Sequence, residues 1–108
     1  MARRSSRRPR RRHRFLGGTA PEHDERATGA LKATRETATE ARDLARDGLC
    51  AKSFSTMLAA TFWSGRARAE LQNSTREHTK ERQAAEFPLA QARQEFWKKC
   101  VRKKWVSD

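Results

Sequence analysis

The 108-residue chain contains no isoleucine, no tyrosine and only two valines, so most of the residues that favour pleated strands are missing. Alternating apolar and polar positions are missing too, which excludes a sheet-based design and leaves an all-α chain. Large apolar side chains are scarce altogether: seven Leu, five Phe, three Trp, two Val and two Met, beside 17 Ala. A composition this poor in core residues, with high net charge, predicts a marginal fold that gains order from a partner. No run of residues is long and apolar enough to cross a bilayer, and no signal-peptide core is present.

Reactive groups are equally sparse. Cys50 and Cys100 are the two cysteines, which is too few for a disulfide framework and the wrong spacing for a metal site. They are expected to be free thiols, in an intracellular or particle-enclosed setting. His13, His23 and His78 stand in three separate polar contexts, and none has a ligand partner at helical spacing. No nucleophile elbow occurs, nor a carboxylate pair in apolar surroundings. Gly17-Gly18-Thr19 lacks the Gly-Lys-Ser/Thr that a phosphate-binding Walker loop requires. These absences point away from an enzyme, and no metal, cofactor or small-molecule substrate is expected.

What the chain does have is positive charge, and it is unevenly placed. The formal net charge is +12. Residues 1–14 carry eight arginines and no acid; residues 98–108 carry five basic residues against Asp108. Between them, residues 15–97 hold twelve basic and twelve acidic side chains and sum to zero. Charge confined to the ends suits tails that meet a polyanion, with a body that does something else. Arginine presents a planar fork of donors that matches phosphate oxygens and stays charged at any working pH. Arg3, Arg4, Arg7, Arg8, Arg10, Arg11, Arg12 and Arg14 are therefore the expected nucleic-acid contacts, joined by Lys98, Lys99, Arg102 and Lys103 near the other end. They would neutralise backbone phosphates of RNA or DNA without reading bases. A mitochondrial presequence would need an apolar helix face that residues 1–14 lack, and a membrane surface is the less favoured polyanion.

Helical signals run through the rest. Thr19 and Glu22 form a capping-box pattern with Pro21 in the first turn. Ala27, Ala30, Leu31, Thr34, Ala38, Ala41, Leu44 and Ala45 then recur at three- and four-residue steps, and Gly48 supplies a stop. The spacing predicts a helix over about 20–47. A connection of some three residues leads to a second helix over about 51–72, which forces an antiparallel neighbour. Residues 53–65 contain no charge, with Phe54, Met57, Leu58 and Phe62 on one side and Ala60, Trp63 and Ala67 on the other. Such a helix is expected to be buried from more than one direction. Asn73-Ser74-Thr75 breaks the run and can cap a polar helical stretch over 76–86. Pro88 should end that stretch and start a fresh, basic amphipathic helix to about Trp105.

The expected architecture is an all-α, antiparallel helical hairpin plus a basic amphipathic C-terminal helix, with a disordered or extended arginine-rich arm. It divides into an arm and Gly-Gly joint over 1–18, the hairpin over 19–72, and the C-terminal segment over 73–108. Phe54, Met57, Phe62, Trp63, Trp97 and Trp105 are the expected contacts to other protein subunits. The plan of an arginine-rich extension on a small helical body resembles small proteins of ribosomes and virions, though it rests on no family motif. A bias of 18 Arg to 7 Lys suits a GC-rich source such as a bacteriophage or bacterium. The implied function is a structural part of a nucleoprotein assembly, within a virion or a ribosome-type particle. The rival is a protein–protein adaptor anchored by helix 53–65 and Trp63, whose basic ends serve targeting or solubility.

Overall fold

The computed structural model describes residues 18–102, and every element among them is helical. Helix α1 spans Ala20–Arg46, α2 Cys50–Leu71 and α3 Thr79–Phe96, and a π-helical segment follows over Trp97–Arg102.

The start of α1 is the expected capping box. The Glu22 amide donates to Thr19 Oγ1 at 3.4 Å, and the Thr19 amide donates to Glu22 Oε1 at 2.8 Å. Its end is a Schellman motif. Gly48 adopts φ +78°, its amide donates to the Ala45 carbonyl (3.0 Å), and the Leu49 amide donates to the Leu44 carbonyl (2.9 Å). These two bonds turn the chain at once into α2.

Contacts fix the packing. Ser53 Oγ donates to the Ala41 carbonyl at 2.8 Å, and His23 lies against Glu70, so α1 and α2 run in opposite directions. α3 lies on the same α1, running with it: Ala85 packs with Ala30 and Leu31, Arg42 Nη1 donates to Gln91 Oε1 (2.8 Å), and Arg46 pairs with Glu95. The core is made mostly of methyl groups. Ala27, Ala38, Ala41, Ala45, Ala60 and Ala92 are fully buried, whereas the only buried leucines among the described residues are Leu31 and Leu89. Alanine buries little area per residue but lets helix backbones approach closely.

That closeness decides which way α2 faces. Small side chains suit the alanine stripe of α1, so α2 turns Ser53, Ala60 and Ala67 inward, with Trp63 partly buried beside them and Glu70 buried near the end. The bulky side, with Phe54, Leu58 and Phe62, points to solvent. The expectation that this uncharged helix is buried on more than one side is therefore corrected.

Three further expectations are corrected. Cys50 and Cys100 are not free thiols but a disulfide, with Cα atoms 5.7 Å apart. α2 and α3 run in opposite directions, and this places the start of one beside the end of the other. Pro88 does not start a new helix; α3 continues through it. Ala85, Pro88, Leu89 and Ala92 are all buried, so the packed face extends on both sides of the proline and holds the helix through the missing hydrogen bond. Finally, Ser74 and Thr75 do not cap the next helix. Their hydroxyls go to Asp24 on α1, and α3 begins only after His78, whose backbone is left-handed (φ 55°).

Candidate functional site

The arginines at 3, 4, 7, 8, 10, 11, 12 and 14, together with Lys103 and Trp105, lie outside the described residues. The described part of the second basic cluster sits on the π-helical segment. There Cys100 is buried in its disulfide while Lys98, Lys99 and Arg102 are exposed. Among the described residues none of these three forms an ion pair, and Glu95, the acid nearest to Lys98 and Lys99 in sequence, pairs with Arg46. The bond to Cys50 thus anchors a short cationic surface to the start of α2. A π-helical turn is widened relative to α-helix and often marks a functional position.

The expected protein contacts separate into two groups. Phe54, Leu58 and Phe62 are 49 %, 57 % and 59 % exposed and line up along the outer side of α2 at four-residue steps. Phe96 of α3 packs on Phe54 with ring centroids 5.8 Å apart, and Trp97 next to it is also exposed. Trp63 instead faces inward and packs partly buried on the cluster of Ala30, Leu31, Ala67 and Ala85, with the Phe62 ring in a T-shaped contact, centroids 5.3 Å apart. Met57 is half-buried. Leu58 shares the side that helical patterning gives to Phe54 and Phe62, and Leu49 and Phe87 are further exposed apolar residues.

A buried polar cluster at the α1 start and α2 end has no counterpart in the sequence reading. His23 and Glu70 are 0 % and 2 % exposed, and His23 Nδ1 lies 2.6 Å from Glu70 Oε1, with the carboxylate accepting. Arg26 Nε donates to the other Glu70 oxygen at 3.3 Å. One carboxylate thereby serves two donors from α1, which is how a charge is tolerated inside a small fold. Beside it, Asp24 accepts from the Ser74 hydroxyl and from Thr75 Oγ1 (3.0 Å). Its carboxyl is held below the usual carboxylate range, first by the Ser74 hydrogen bond and, against some desolvation, by Thr75, the Arg76 amide and the positive potential of His78. The only sequence signal was the density of Asp, His, Ser and Thr at two chain-distant places, 23–26 and 70–78. A His–carboxylate pair is also a catalytic arrangement, but here the imidazole is enclosed and closed to a substrate.

No group of three or more His, Cys, Asp or Glu among the described residues is arranged to hold a metal. No described helix is long and apolar enough to cross a membrane. A hollow of about 70 Å³ between the three helices is lined by Leu31, Thr34, Ala67, Leu71, Ala85 and Leu89. Small-molecule sites usually exceed about 300 Å³, so this one is a packing gap. Comparison with family models, with curated proteins and with solved structures gives no match for this chain.

Proposed function

We propose that the chain is a non-enzymatic structural component of a nucleoprotein assembly, as a small virion protein or a part of a ribosome-type particle. Its basic ends neutralise nucleic-acid phosphates, and its helical hairpin binds protein. The observation that carries this is the charge separation: the whole +12 resides in residues 1–14 and 98–108, around a neutral body. Solubility alone would be served by dispersed charge. Arginine without lysine over residues 1–14 favours phosphate as the counter-ligand.

The test is the salt dependence of binding to RNA and to duplex DNA. Engagement of most arm arginines gives a slope of log affinity against log salt of about −5 to −7. Deleting residues 2–14 removes most of that slope, and an unchanged slope refutes the assignment.

The outward apolar side of α2 favours a second reading, a protein–protein adaptor. In that case a chain lacking the arm joins its assembly normally and without nucleic acid.

A further inference from the structure

The outer side of α2 is an apolar stripe that the fold leaves largely uncovered, with Phe96 of α3 reaching only its Phe54 end. Phe54, Leu58 and Phe62 run along its middle, with Ala51, Ser55, Thr61 and Gly65 exposed among them, and no charge occurs between residues 53 and 65. We infer that this stripe is the contact of an antiparallel homodimer, in which α2 packs on α2 of a second copy. The dimer deepens the assembly reading by naming a protein partner, and it rests on that reading for its role though not for its geometry.

Self-pairing fits the stripe on three grounds. First, it is nearly palindromic. A two-fold axis beside Leu58 sets Leu58 against its own copy, Phe54 against the second copy's Phe62, and Ala51 against the second copy's Gly65. Each large ring meets a ring, and each end meets a small residue that admits close backbone approach. Gly65 needs such an explanation: it sits inside a helix, where glycine is unfavourable, and a Cβ built on it meets nothing within 4 Å in the single chain.

Second, antiparallel pairing gives the exposed arginines at the end of the stripe an acidic neighbour that parallel pairing does not, although Lys52 is exposed at the same end as that acid. Arg66 and Arg68 lie at its C-terminal end, and the exposed Asp47 lies in the turn before its N-terminal end. None of the three forms an ion pair among the described residues; the neighbouring Arg42 and Arg46 pair with Asp43. Antiparallel pairing brings the arginines of one copy to the Asp47 turn of the other, whereas parallel pairing stacks arginine on arginine.

Third, the area suffices for a weak dimer. Half-exposed Phe and Leu side chains offer roughly 100 Å² each, so Phe54, Leu58, Phe62 and their small neighbours present about 400–500 Å² per copy. Two copies bury roughly 800–1,000 Å², the size of a weak, transient interface. Burying it requires no ion to be desolvated. The dimer also places two basic arms on one particle, which multiplies their hold on a polyanion.

Sedimentation of the full, disulfide-bonded chain, freed of nucleic acid and kept in high salt, tests this. The mass should pass from one chain to two as concentration rises through the micromolar range, on the order expected for so small an interface. Leu58→Glu should stay monomeric with unchanged helical circular dichroism and melting, because the side chain faces solvent. Arg68→Asp should weaken association about threefold to tenfold, and adding Asp47→Arg to the same chain should restore it. A wild-type chain that stays monomeric throughout, or a Leu58→Glu chain that still dimerises, overturns the proposal. An Arg68→Asp chain that dimerises more tightly overturns the antiparallel pairing. A monomer that keeps the arm's salt slope sinks the dimer alone, whereas a dimer without that slope sinks the nucleic-acid reading alone.

Discussion

Breaking the Cys50–Cys100 bond should destabilise the fold more than any other single change, and the size follows from what the bond encloses. The two cysteines are 50 residues apart in sequence. Closing a loop of that length removes chain entropy from the unfolded state equivalent to about 4 kcal/mol at 25 °C. For a helical body of this size each kcal/mol moves the melting midpoint by about 4–8 °C, so the shift should be ~15–30 °C. Thermal melts followed by helical circular dichroism, on the oxidised chain and on the Cys50→Ala/Cys100→Ala double variant, measure it directly. Guanidinium titration of the same pair checks the free energy. Amide exchange adds location: Lys98–Arg102 should lose protection first, because Cys100 is the only buried residue of that segment. A shift below about 1 kcal/mol would refute the reasoning, since helix contacts alone would then hold the α2 start and the α3 end together.

Asp24→Asn should lower stability at neutral pH and flatten its acid limb. The native carboxyl titrates below its unfolded value of about 3.9, so its contribution is present above that pH and is lost as pH falls through the lower native value. Denaturant midpoints from pH 6 down to pH 3 read this out. Glu70→Ala removes the acceptor shared by His23 and Arg26 and should cost about 3 kcal/mol in a denaturant titration. Ala41→Leu forces three extra heavy atoms against the Ser53 contact and should cost about 1–3 kcal/mol by overpacking, seen as a lower melting midpoint.

The helix limits of the first half were legible because their signals are local. Thr19 with Glu22 starts α1, Gly48 ends it, and both act within a few residues of the chain. The alanine stripe likewise identified the buried side of α1. What could not be read depends on distant pairing. Cys50 and Cys100 carry no spacing signal, and only the opposed directions of α2 and α3 bring them together. His23, Glu70 and His78 look like surface residues until α1 and α2 set their ends side by side. Pro88 is a helix breaker by local rule, and packing on both sides of it prevailed. The outward turn of Phe54, Leu58 and Phe62 ran against the usual reading of amphipathicity, because a stripe of methyl groups on α1 selects small partners over large ones. Of the proposed nucleic-acid contacts, Lys98, Lys99 and Arg102 are placed together on one exposed segment, whereas the arginines of residues 1–14 lie outside the described part.

The disulfide also makes the chain a closed ring from residue 50 to residue 100, and the connection between α2 and α3 lies inside that ring. Arg76 in that connection is exposed and open to a trypsin-like protease. A cut there divides the polypeptide without dividing the molecule. The fragment bearing the N-terminal arm and the fragment bearing the C-terminal lysines remain covalently joined, and they separate on a gel only after reduction. A nicked chain therefore keeps both of its basic ends on one body.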